Sequence, residues 1–440
     1  MVTTSAPAAA EPADEVSGAD AAADLDEEFV IDAVLIEGLF RTKPYVVMRE
    51  LLFAEGETTT RAELEESVQR LRNLGLFRVA EYELLDRRIP LPDGSLPSTT
   101  SRHRILLITV DERWTIIPFG TFSAGGGTFS LTSGLYDINL LGRYIELGGQ
   151  YQRFADTNSF AIWASDPRLF GERLKLSATL AQTNRINVFY ADDGTLEGGH
   201  MRLRRSAAIS LSREWSKLFT TGANIAYVDD RYSLRLLTDE LRDLEAARGL
   251  PEAAHYLSLG LSAAVGRINA DSYLRRGLQL AGSVATAQEP VASNLSYLDT
   301  AVQLRAFEVL PWKINVGFRT GLGTTSMDRP EYQFFVGGFN LLRGFLHRRF
   351  RGSHYWYANG ELRVPSLDTR WLALQHVAFV DAAAAGEGFD VLGEVDGVSA
   401  GLGLRFMSPK IFSLLGRIDY AWPIYGDGTS ALSFGAGQFF

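Results

Sequence analysis

The segment Phe335-Val-Gly-Gly-Phe-Asn-Leu-Leu-Arg-Gly-Phe345 decides the fold, because it places a cation, Arg343, inside an apolar, glycine-rich loop. This loop interrupts a long series of segments in which apolar and polar residues alternate. A charge with apolar neighbours on both sides needs an acidic partner, since its desolvation is otherwise not offset. Phe379-Val-Asp381, on a later strand, offers such a partner. The pairing predicts a membrane barrel with a loop folded into its interior.

The composition is compatible with a membrane β-barrel and argues against several other classes of protein. The 440 residues are 46% hydrophobic and 22% charged, with a net charge of -10 and no cysteine. No apolar run reaches about 18 residues, which argues against a transmembrane helix, but barrel strands escape this test because they alternate between lipid and lumen. The lack of cysteine excludes disulfides and thiolate metal sites. The acidic balance disfavours nucleic acid as a partner.

Residues 1–28 are rich in Ala, Asp and Glu and contain no aromatic residue, Lys or Arg. We interpret this segment as a disordered spacer, because it has too little apolar surface to form a core. It lacks the basic and apolar regions of a signal peptide. If the protein is exported, we expect that its signal peptide has been removed from this sequence.

Residues 29–113 predict a small α/β domain. A short helix is expected after Pro44, where proline suits the first turn. Thr60 and Glu63 have the spacing of a capping box at the start of a longer helix, which Gly75 ends. The three strands are expected at residues 29–36, 77–85 and 104–112. The resulting order of elements is β-α-α-β-β.

Residues 114–440 consist of segments of roughly ten residues that alternate in polarity, which is typical of an outer-membrane barrel. In Arg173-Leu-Lys-Leu-Ser-Ala-Thr-Leu180 every second residue is apolar. In Gly401-Leu-Gly-Leu-Arg-Phe406 the alternation turns Arg405 toward the lumen, because a lipid-facing arginine at mid-depth costs roughly 2–4 kcal/mol. We predict a membrane β-barrel of about 16 antiparallel strands, preceded by the single α/β domain.

The interruptions between these segments fall into two groups. Short turns at residues 139–142 and 167–171 are expected on the periplasmic side. The longer interruptions are expected on the extracellular side, with a helix over residues 236–248 in the second of them, and they cover residues 185–200, 231–254, 326–352 and 384–396. We expect the loop over residues 326–352 to fold inward, because it carries Arg343.

The chain resembles the POTRA-plus-barrel assembly-factor superfamily, whose members include the BamA and TamA insertases and the two-partner secretion translocators. Gly75-Leu-Phe-Arg-Val79 resembles the turn from helix to strand of a POTRA domain. Leu342-Arg343-Gly344-Phe345 resembles the arginine motif of the lumenal sixth loop, although Val is commoner in the first position. The other matching segments are Tyr136 to Gly142 at the first periplasmic turn, Phe379 to Asp381 with the strand over 401–406, and the final segment over 431–440, which ends in phenylalanine.

The resemblance implies that Asp381 is the first partner of Arg343. Alternation along the neighbouring strands turns Glu361 and Asp419 toward the lumen as well, so both are further candidates. An arginine can bind a carboxylate through two parallel hydrogen bonds in a partly dry site, which a lysine cannot do. The same alternation adds Phe379, Arg405 and Arg417 to the expected lumenal network. The alternative interpretation is a plain stabilising salt bridge that plugs the barrel.

The junction of the first and last strands is the second candidate site. Closure pairs a strand near residues 116–123 with one near residues 430–440, and Gly120, Gly435 and Gly437 lie at this seam. Glycine weakens strands, so the seam could open sideways and expose an edge on which a client strand can grow. The alternative is that glycine is simply abundant in barrels.

Phe440 has the same parity as the lipid-facing Phe434 and Leu432. We therefore predict that Phe440 points toward lipid and anchors the last strand.

The sequence contains no constellation of catalytic residues. Its histidines lack the spacing of metal ligands, and Gly125-Gly-Gly127 lacks the lysine and helix of a phosphate-binding loop. We expect no enzymatic activity, no metal and no cofactor.

The resemblance implies a factor that assembles or inserts proteins in the bacterial outer membrane of Gram-negative cells, with its POTRA domain in the periplasm. Expected partners are outer-membrane lipids, unfolded outer-membrane or secreted client proteins, and periplasmic or lipoprotein partners of the POTRA domain. A single POTRA domain departs from the insertases with several such domains, which weakens the expectation of lipoprotein docking. The alternatives are a secretion translocator and a passive channel or structural barrel.

Overall fold

The chain divides into two compact units, of which the first comprises Met1–Thr115 with Ile138–Tyr144 and the second Ile116–Asp137 with Ile145–Phe440. The predicted spacer up to residue 26, the loop over residues 87–102 and the seam residue Gly437 lie outside the residues that the structure describes. None of the described helices is long and apolar enough to cross a bilayer. The computed structural model describes residues 27–86, 103–191, 193–271, 273–338, 341–369, 372–407, 415–436 and 439–440.

The first unit is a four-stranded sheet with two helices. Its elements are β1 (Glu28–Glu37), α1 (Pro44–Met48), β2 (Thr58–Thr60), α2 (Arg61–Asn73), β3 (Phe77–Asp86) and β4 (His103–Glu112). The strands lie in the order β2-β1-β4-β3, and β1 and β4 are parallel while the other neighbours are antiparallel. The predicted small α/β domain is confirmed, with the three-residue β2 as an additional strand that the polar sequence did not reveal.

Helix α2 begins and ends where its sequence predicts. The Thr60 hydroxyl accepts a hydrogen bond from the Glu63 amide at 3.2 Å, and the Glu63 carboxylate accepts one from the Thr60 amide at 3.3 Å. Leu64 and Leu71 on the opposite face are fully buried in the core, where each such side chain contributes about 1.5–3 kcal/mol. The chain leaves the helix through Gly75, whose φ of 74° suits glycine.

The second unit is a closed antiparallel barrel of 16 strands. Its strands and one helix are β5 (Ile116–Gly125), β6 (Thr128–Asp137), β7 (Glu146–Phe154), β8 (Thr157–Asp166), β9 (Leu174–Tyr190), β10 (Leu196–Ser216), β11 (Phe219–Ser233), α3 (Asp239–Arg248), β12 (Ala254–Asp271), β13 (Leu274–Ala287), β14 (Tyr297–Leu310), β15 (Ile314–Thr325), β16 (Phe334–Val336), β17 (Phe350–Gly352), β18 (His354–Asp368), β19 (Ala373–Gly386), β20 (Gly397–Met407), β21 (Leu415–Tyr425) and β22 (Ala431–Ala436). All of these strands except β16 and β17 belong to the barrel. The predicted fold class and strand number are confirmed.

The alternation of side chains separates the two faces of the barrel wall. Leu402 and Val380 are 59% and 52% exposed on the outer surface. Arg405 and Asp381, which lie on the same two strands but point the other way, are fully buried inside. A shift of one residue in either strand would place these charges in lipid and the apolar residues in the lumen. The alternation therefore sets both the register and the chemistry of the lumen.

The extent of one predicted loop is wrong. Strand β9 continues to Tyr190 and β10 begins at Leu196, so most of the expected loop over residues 185–200 is barrel strand. The polar residues that suggested a loop, such as Asn187, are buried on the inner face. These polar side chains face the lumen and not the solvent outside, and this is why the loop was predicted too long.

Candidate functional site

The loop between β15 and β18 carries Arg343 into the barrel. Its strands β16 and β17 pair from Phe334–Gly352 to Val336–Phe350, and they bring the two halves of the loop together. Gly344 follows Arg343 with a φ of 84°, a conformation that residues with a Cβ seldom adopt. Leu342 and Phe345 pack into a buried apolar cluster. The loop is thus anchored on both sides of the arginine.

Arg343 is 1% exposed and forms ion pairs with all three candidate carboxylates. Its Nε and Nη2 donate to Asp381 Oδ2 and Oδ1 at 2.7 and 2.8 Å. Its Nη1 donates to Glu361 Oε1 at 2.8 Å and lies 3.4 Å from Asp419 Oδ2. Burial alone would lower the pKa of Arg343, but the carboxylates of Asp381 and Glu361 raise it above its ordinary value. The guanidinium therefore stays charged.

Two more arginines extend this cluster along the wall. Arg405 donates to Asp419 Oδ1 at 2.7 Å and to Glu361 Oε1 at 3.0 Å. Arg363 lies 2.8 Å from Glu361 Oε2. Glu361 thus joins three arginines, and each cation has a carboxylate in reach, which is the condition under which buried charge is tolerated.

Glycines on the inner wall make room for these long side chains. A Cβ at Gly403 would overlap with the carboxylate of Asp419, and a Cβ at Gly435 would overlap with the guanidinium of Arg417. Gly435, which the sequence placed at the seam, therefore also accommodates a lumenal arginine.

Two aromatic rings enclose the guanidinium of Arg343. Its Cζ lies 3.4 Å from the ring centre of Phe379 and 3.8 Å from that of Phe439. Arg417 also contacts Phe439, with 4.9 Å between its Cζ and the centre of that ring. Cation–π contacts of this kind are strongest where water is excluded. Phe379 is on the strand that carries Asp381, whereas Phe439 comes from beyond β22.

The prediction that Phe440 faces lipid is wrong. Phe439 and Phe440 are each 7% exposed and pack with Phe307, and the Phe440 carbonyl oxygen accepts a hydrogen bond from Arg363 Nη2 at 3.2 Å. Phe439 and Phe440 lie outside strand β22, so strand alternation does not govern where their side chains point. Within β22, Leu432 does lie exposed on the outer surface.

The sequence reasoning missed Arg319, and it placed Asn359 on the same face as Glu361 without giving it a role. Asn359 Oδ1 accepts hydrogen bonds from Arg319 Nε and Nη2 at 3.0 and 2.7 Å, and its Nδ2 donates to Asp381 Oδ1 at 2.9 Å. Asn359 therefore orients the carboxylate that holds Arg343. The alternation that identified Arg405 also places Arg319 inward, next to the exposed Phe318, and it would have found this residue.

The seam between β22 and β5 is paired over a very short length. Among the described residues, these strands pair at Phe434–Ala124 alone, whereas β5 pairs with β6 from Ile116–Asp137 to Gly125–Thr128. Among the described residues, a Cβ at Gly120 would meet only the Thr132 carbonyl oxygen, at 3.8 Å. Gly120 thus leaves free space on β5.

Comparison with known proteins agrees with this architecture. The model of the Omp85 superfamily domain matches residues 139–440, and a POTRA model, described as surface antigen variable number repeat, matches residues 29–113. No curated protein sequence matches the chain.

Several solved structures are similar to the chain in fold. BamA from Haemophilus ducreyi, lacking POTRA domains 1–3, has 16% identity and a TM-score of 0.65, and the match covers 93% of this chain and 84% of that one. CdiB from Acinetobacter baumannii has 13% identity and a TM-score of 0.60, with 92% and 73% covered. CdiB from Escherichia coli has 12% identity and a TM-score of 0.54, with 98% and 94% covered.

The superfamily model extends over most of the barrel and includes the loop of Arg343, the wall that carries its carboxylates and the last strand. Together with the POTRA match ahead of the barrel, it shows that the chain belongs to the Omp85 superfamily.

Proposed function

We propose that this protein inserts client β-barrel proteins into the outer membrane through the junction of β5 and β22. The protein is an outer-membrane protein with its POTRA domain in the periplasm, and members of its superfamily are transporters or assembly factors. The observation that carries the proposal is the single residue pair, Phe434–Ala124, which joins the two strands among the described residues.

A junction with few backbone hydrogen bonds between its strands favours the addition of another strand in a membrane. Backbone N–H and C=O groups that face lipid without partners cost several kcal/mol each, so the two edges gain stability from any strand that pairs with them. A client strand that adds to β5 would satisfy these groups and could recruit the next client strand in turn. Insertion then needs no nucleotide or metal, because the driving force is the folding of the client itself.

The short last strand would also disturb the lipid beside it. The described part of β22 has 6 residues, and residues 429–430 and 439–440 on either side are not strand, so β22 is shorter than the about 9–11 residues that span the hydrocarbon core. Lipid next to a short strand thins to avoid exposing apolar tails to water. A thinner bilayer lowers the barrier for a client that inserts at this place.

The POTRA domain offers an edge that can hold an extended client. Strand β3 has 10 residues and lies at one end of the sheet order, so one side of its backbone faces away from the sheet. We propose that the client binds there by strand addition before it reaches the junction.

The experiment that tests this proposal closes the junction with a disulfide. The chain contains no cysteine, so Ala124→Cys with Phe434→Cys introduces one pair at the register partners of the seam. The matched control is Ala378→Cys with Leu402→Cys, which are register partners on the outer face of β19 and β20. The full-length protein is reconstituted in vesicles, and the folding rate of an unfolded test barrel is measured with and without reductant.

We expect the oxidised seam variant to lose the acceleration of client folding and to regain it on reduction, whereas the control keeps it throughout. Full acceleration by the oxidised seam variant would exclude the junction as the route. Transport of a secreted client through the oxidised protein would favour a translocator that uses the lumen. Ion conductance without either activity would favour a passive channel.

A further inference from the structure

Three arginines form a second cationic cluster, which we call the rim cluster: Arg185, Arg202 and Arg348 of the inward loop. Arg185 on β9 and Arg202 on β10 are direct cross-strand partners. Arg348 of the loop donates its Nη1 to Asn187 Oδ1 at 2.8 Å and lies over the ring of Phe335, with 3.4 Å between Cζ and the ring centre. Asn187 lies two residues after Arg185 on β9, so all three arginines gather on the same inner face.

The rim cluster lies at the end of the barrel opposite to the predicted periplasmic turns. Strand β9 begins after the turn at Leu169–Gly171 and ends at Tyr190, and Arg185 is close to that second end. Each of the three arginines remains partly accessible to solvent. A small ligand in the lumen could therefore reach them.

Among the described residues, the carboxylate that acts on this cluster is that of Asp230, which favours the charged form of Arg202 but is itself paired with Arg204. Within the described part of the chain, none of its three arginines has a carboxylate oxygen within the 4.0 Å of an ion pair. Three acidic side chains of the described wall and loops already have partners: Asp230 lies 2.7 Å from Arg204, Glu245 lies 2.8 Å from His200, and Glu331 lies 2.7 Å from Arg329.

The hydrogen bonds of the cluster all go to neutral acceptors. Arg202 donates to the Glu331 carbonyl oxygen at 3.1 Å, and Arg185 donates to Ser159 Oγ at 3.1 Å and to the Gln152 side chain. The buried Nε of Arg348 has no hydrogen-bond partner among the described residues. Burial lowers the pKa of Arg348 to about 9, and the nearby Arg202 and Arg185 act in the same direction.

The contrast with Arg343 points to a missing anion. Three carboxylates surround Arg343, whereas the rim cluster holds like charges on directly opposed strand positions, an arrangement that destabilises a sheet. Guanidinium groups bind tetrahedral oxyanions through paired hydrogen bonds. We propose that the rim cluster is a binding site for a phosphate group, either free or carried by a lipid head group. This site is independent of the junction proposed for client insertion.

The first test titrates the full-length protein in neutral detergent with inorganic phosphate and follows binding by calorimetry. We expect saturable binding that Arg348→Gln or Arg202→Gln weakens about tenfold, because each removes a charge-assisted contact. The control is Arg205→Gln, which lies next in sequence to Arg204 but is exposed on the outer face. Absence of saturable binding to the unaltered protein, or equal binding by Arg348→Gln, would overturn the proposal.

A second variant adds a carboxylate to the rim cluster. Asn187→Asp preserves the shape of a side chain that lies 2.8 Å from Arg348 Nη1. We expect a higher melting temperature and about tenfold weaker phosphate binding, because the new carboxylate competes with the ligand. Lower stability together with unchanged phosphate affinity would contradict the proposal.

The source of the phosphate group is distinguished with vesicles. The protein is incubated with vesicles that contain a bisphosphorylated glycolipid, re-isolated, and analysed for bound lipid with and without competing inorganic phosphate. Lipid that phosphate displaces in the unaltered protein, but that Arg348→Gln does not retain, identifies a head group as the ligand. Binding of phosphate without retention of lipid identifies the free ion.

Discussion

The wall from β18 to β21 and the junction of β22 with β5 close the same barrel by different means. In the wall, β18 and β19 pair from His354–Gly386 to Asp368–Ala373, and buried ion pairs cover the inner face. At the junction, the described strands meet at Phe434–Ala124 alone. Inside the lumen, Phe439 and Phe440 instead contact Arg417 and Arg363 of the wall.

This difference is what the proposed opening at the junction requires of a barrel that stays stable elsewhere. A long ladder separates only when many backbone hydrogen bonds break together, whereas a boundary that depends on a few side chains opens when those side chains move. The lumenal cluster connects the two regions, because Arg343 contacts Asp381 of the wall and Phe439 after β22. The loop is therefore in a position to couple the state of the junction to the wall.

The largest effect is expected for Asp381→Ala in the wall. Arg343 would lose its bidentate partner in a buried site, and breaking a buried pair in this way lowers the free energy of unfolding by about 3–5 kcal/mol. Urea titration of the folded protein in vesicles measures the loss. The control is Glu308→Ala, whose partner Arg276 lies in an exposed pair and which should leave the unfolding midpoint nearly unchanged. Equal losses in the two variants would show that the wall does not depend on its buried charges.

The next effect is expected for Phe439→Ala, which removes a ring from the Arg343 cluster. Truncation of a buried phenylalanine costs about 3 kcal/mol, and we expect the junction to loosen as well. Hydrogen exchange of the β22 amides should accelerate, whereas the β19 amides should be unchanged. Leu432→Ala, on the outer face of the same strand, should not produce this local change. Uniform acceleration in both strands would show that the junction and the wall respond as one body.

A smaller effect is expected for Gly435→Ala on β22. The new methyl group would overlap with Arg417, and overpacking of this kind costs about 1–3 kcal/mol. Gly360→Ala in β18 is the matched control, because a Cβ there has no atom within 4 Å. Urea titration compares the two. Equal stability of both variants would mean that Gly435 is not needed to accommodate the arginine.

The smallest effect is expected for Gly120→Ala on β5. The added methyl group would lie in ordinary contact with the Thr132 carbonyl oxygen at 3.8 Å, and it removes conformational freedom from the unfolded chain, which stabilises by about 0.4–1 kcal/mol. A stiffer first strand should also slow client folding in the vesicle assay. A loss of stability in the urea titration would contradict the interpretation that this glycine softens the junction.

The barrel and its charged lumen could be predicted because one physical rule, the cost of a charge in lipid, acts at every strand position. This rule placed Arg405 and Asp419 correctly, and it also applied to Arg319, which was overlooked. It could not place Phe440, because alternation has meaning only where a ladder exists and Phe440 lies outside β22. It also failed for the extent of β9, where lumenal polar residues such as Asn187 resemble those of a loop. Sequence patterns report the environment of a side chain, and the lumen and the extracellular loops are both polar.

The rings that enclose Arg343 have a consequence for the order of folding. Phe379 can cover one face of the guanidinium as soon as β19 is in place, but Phe439 arrives only after β22 has been added. Contacts between residues so far apart in the chain form late, because much chain entropy is lost before they are made. A barrel arrested before its final strand would keep one face of this arginine wet. The surroundings of Arg343 thus depend on whether the barrel is complete. Its guanidinium is hydrated in an unfinished barrel and buried in the finished one.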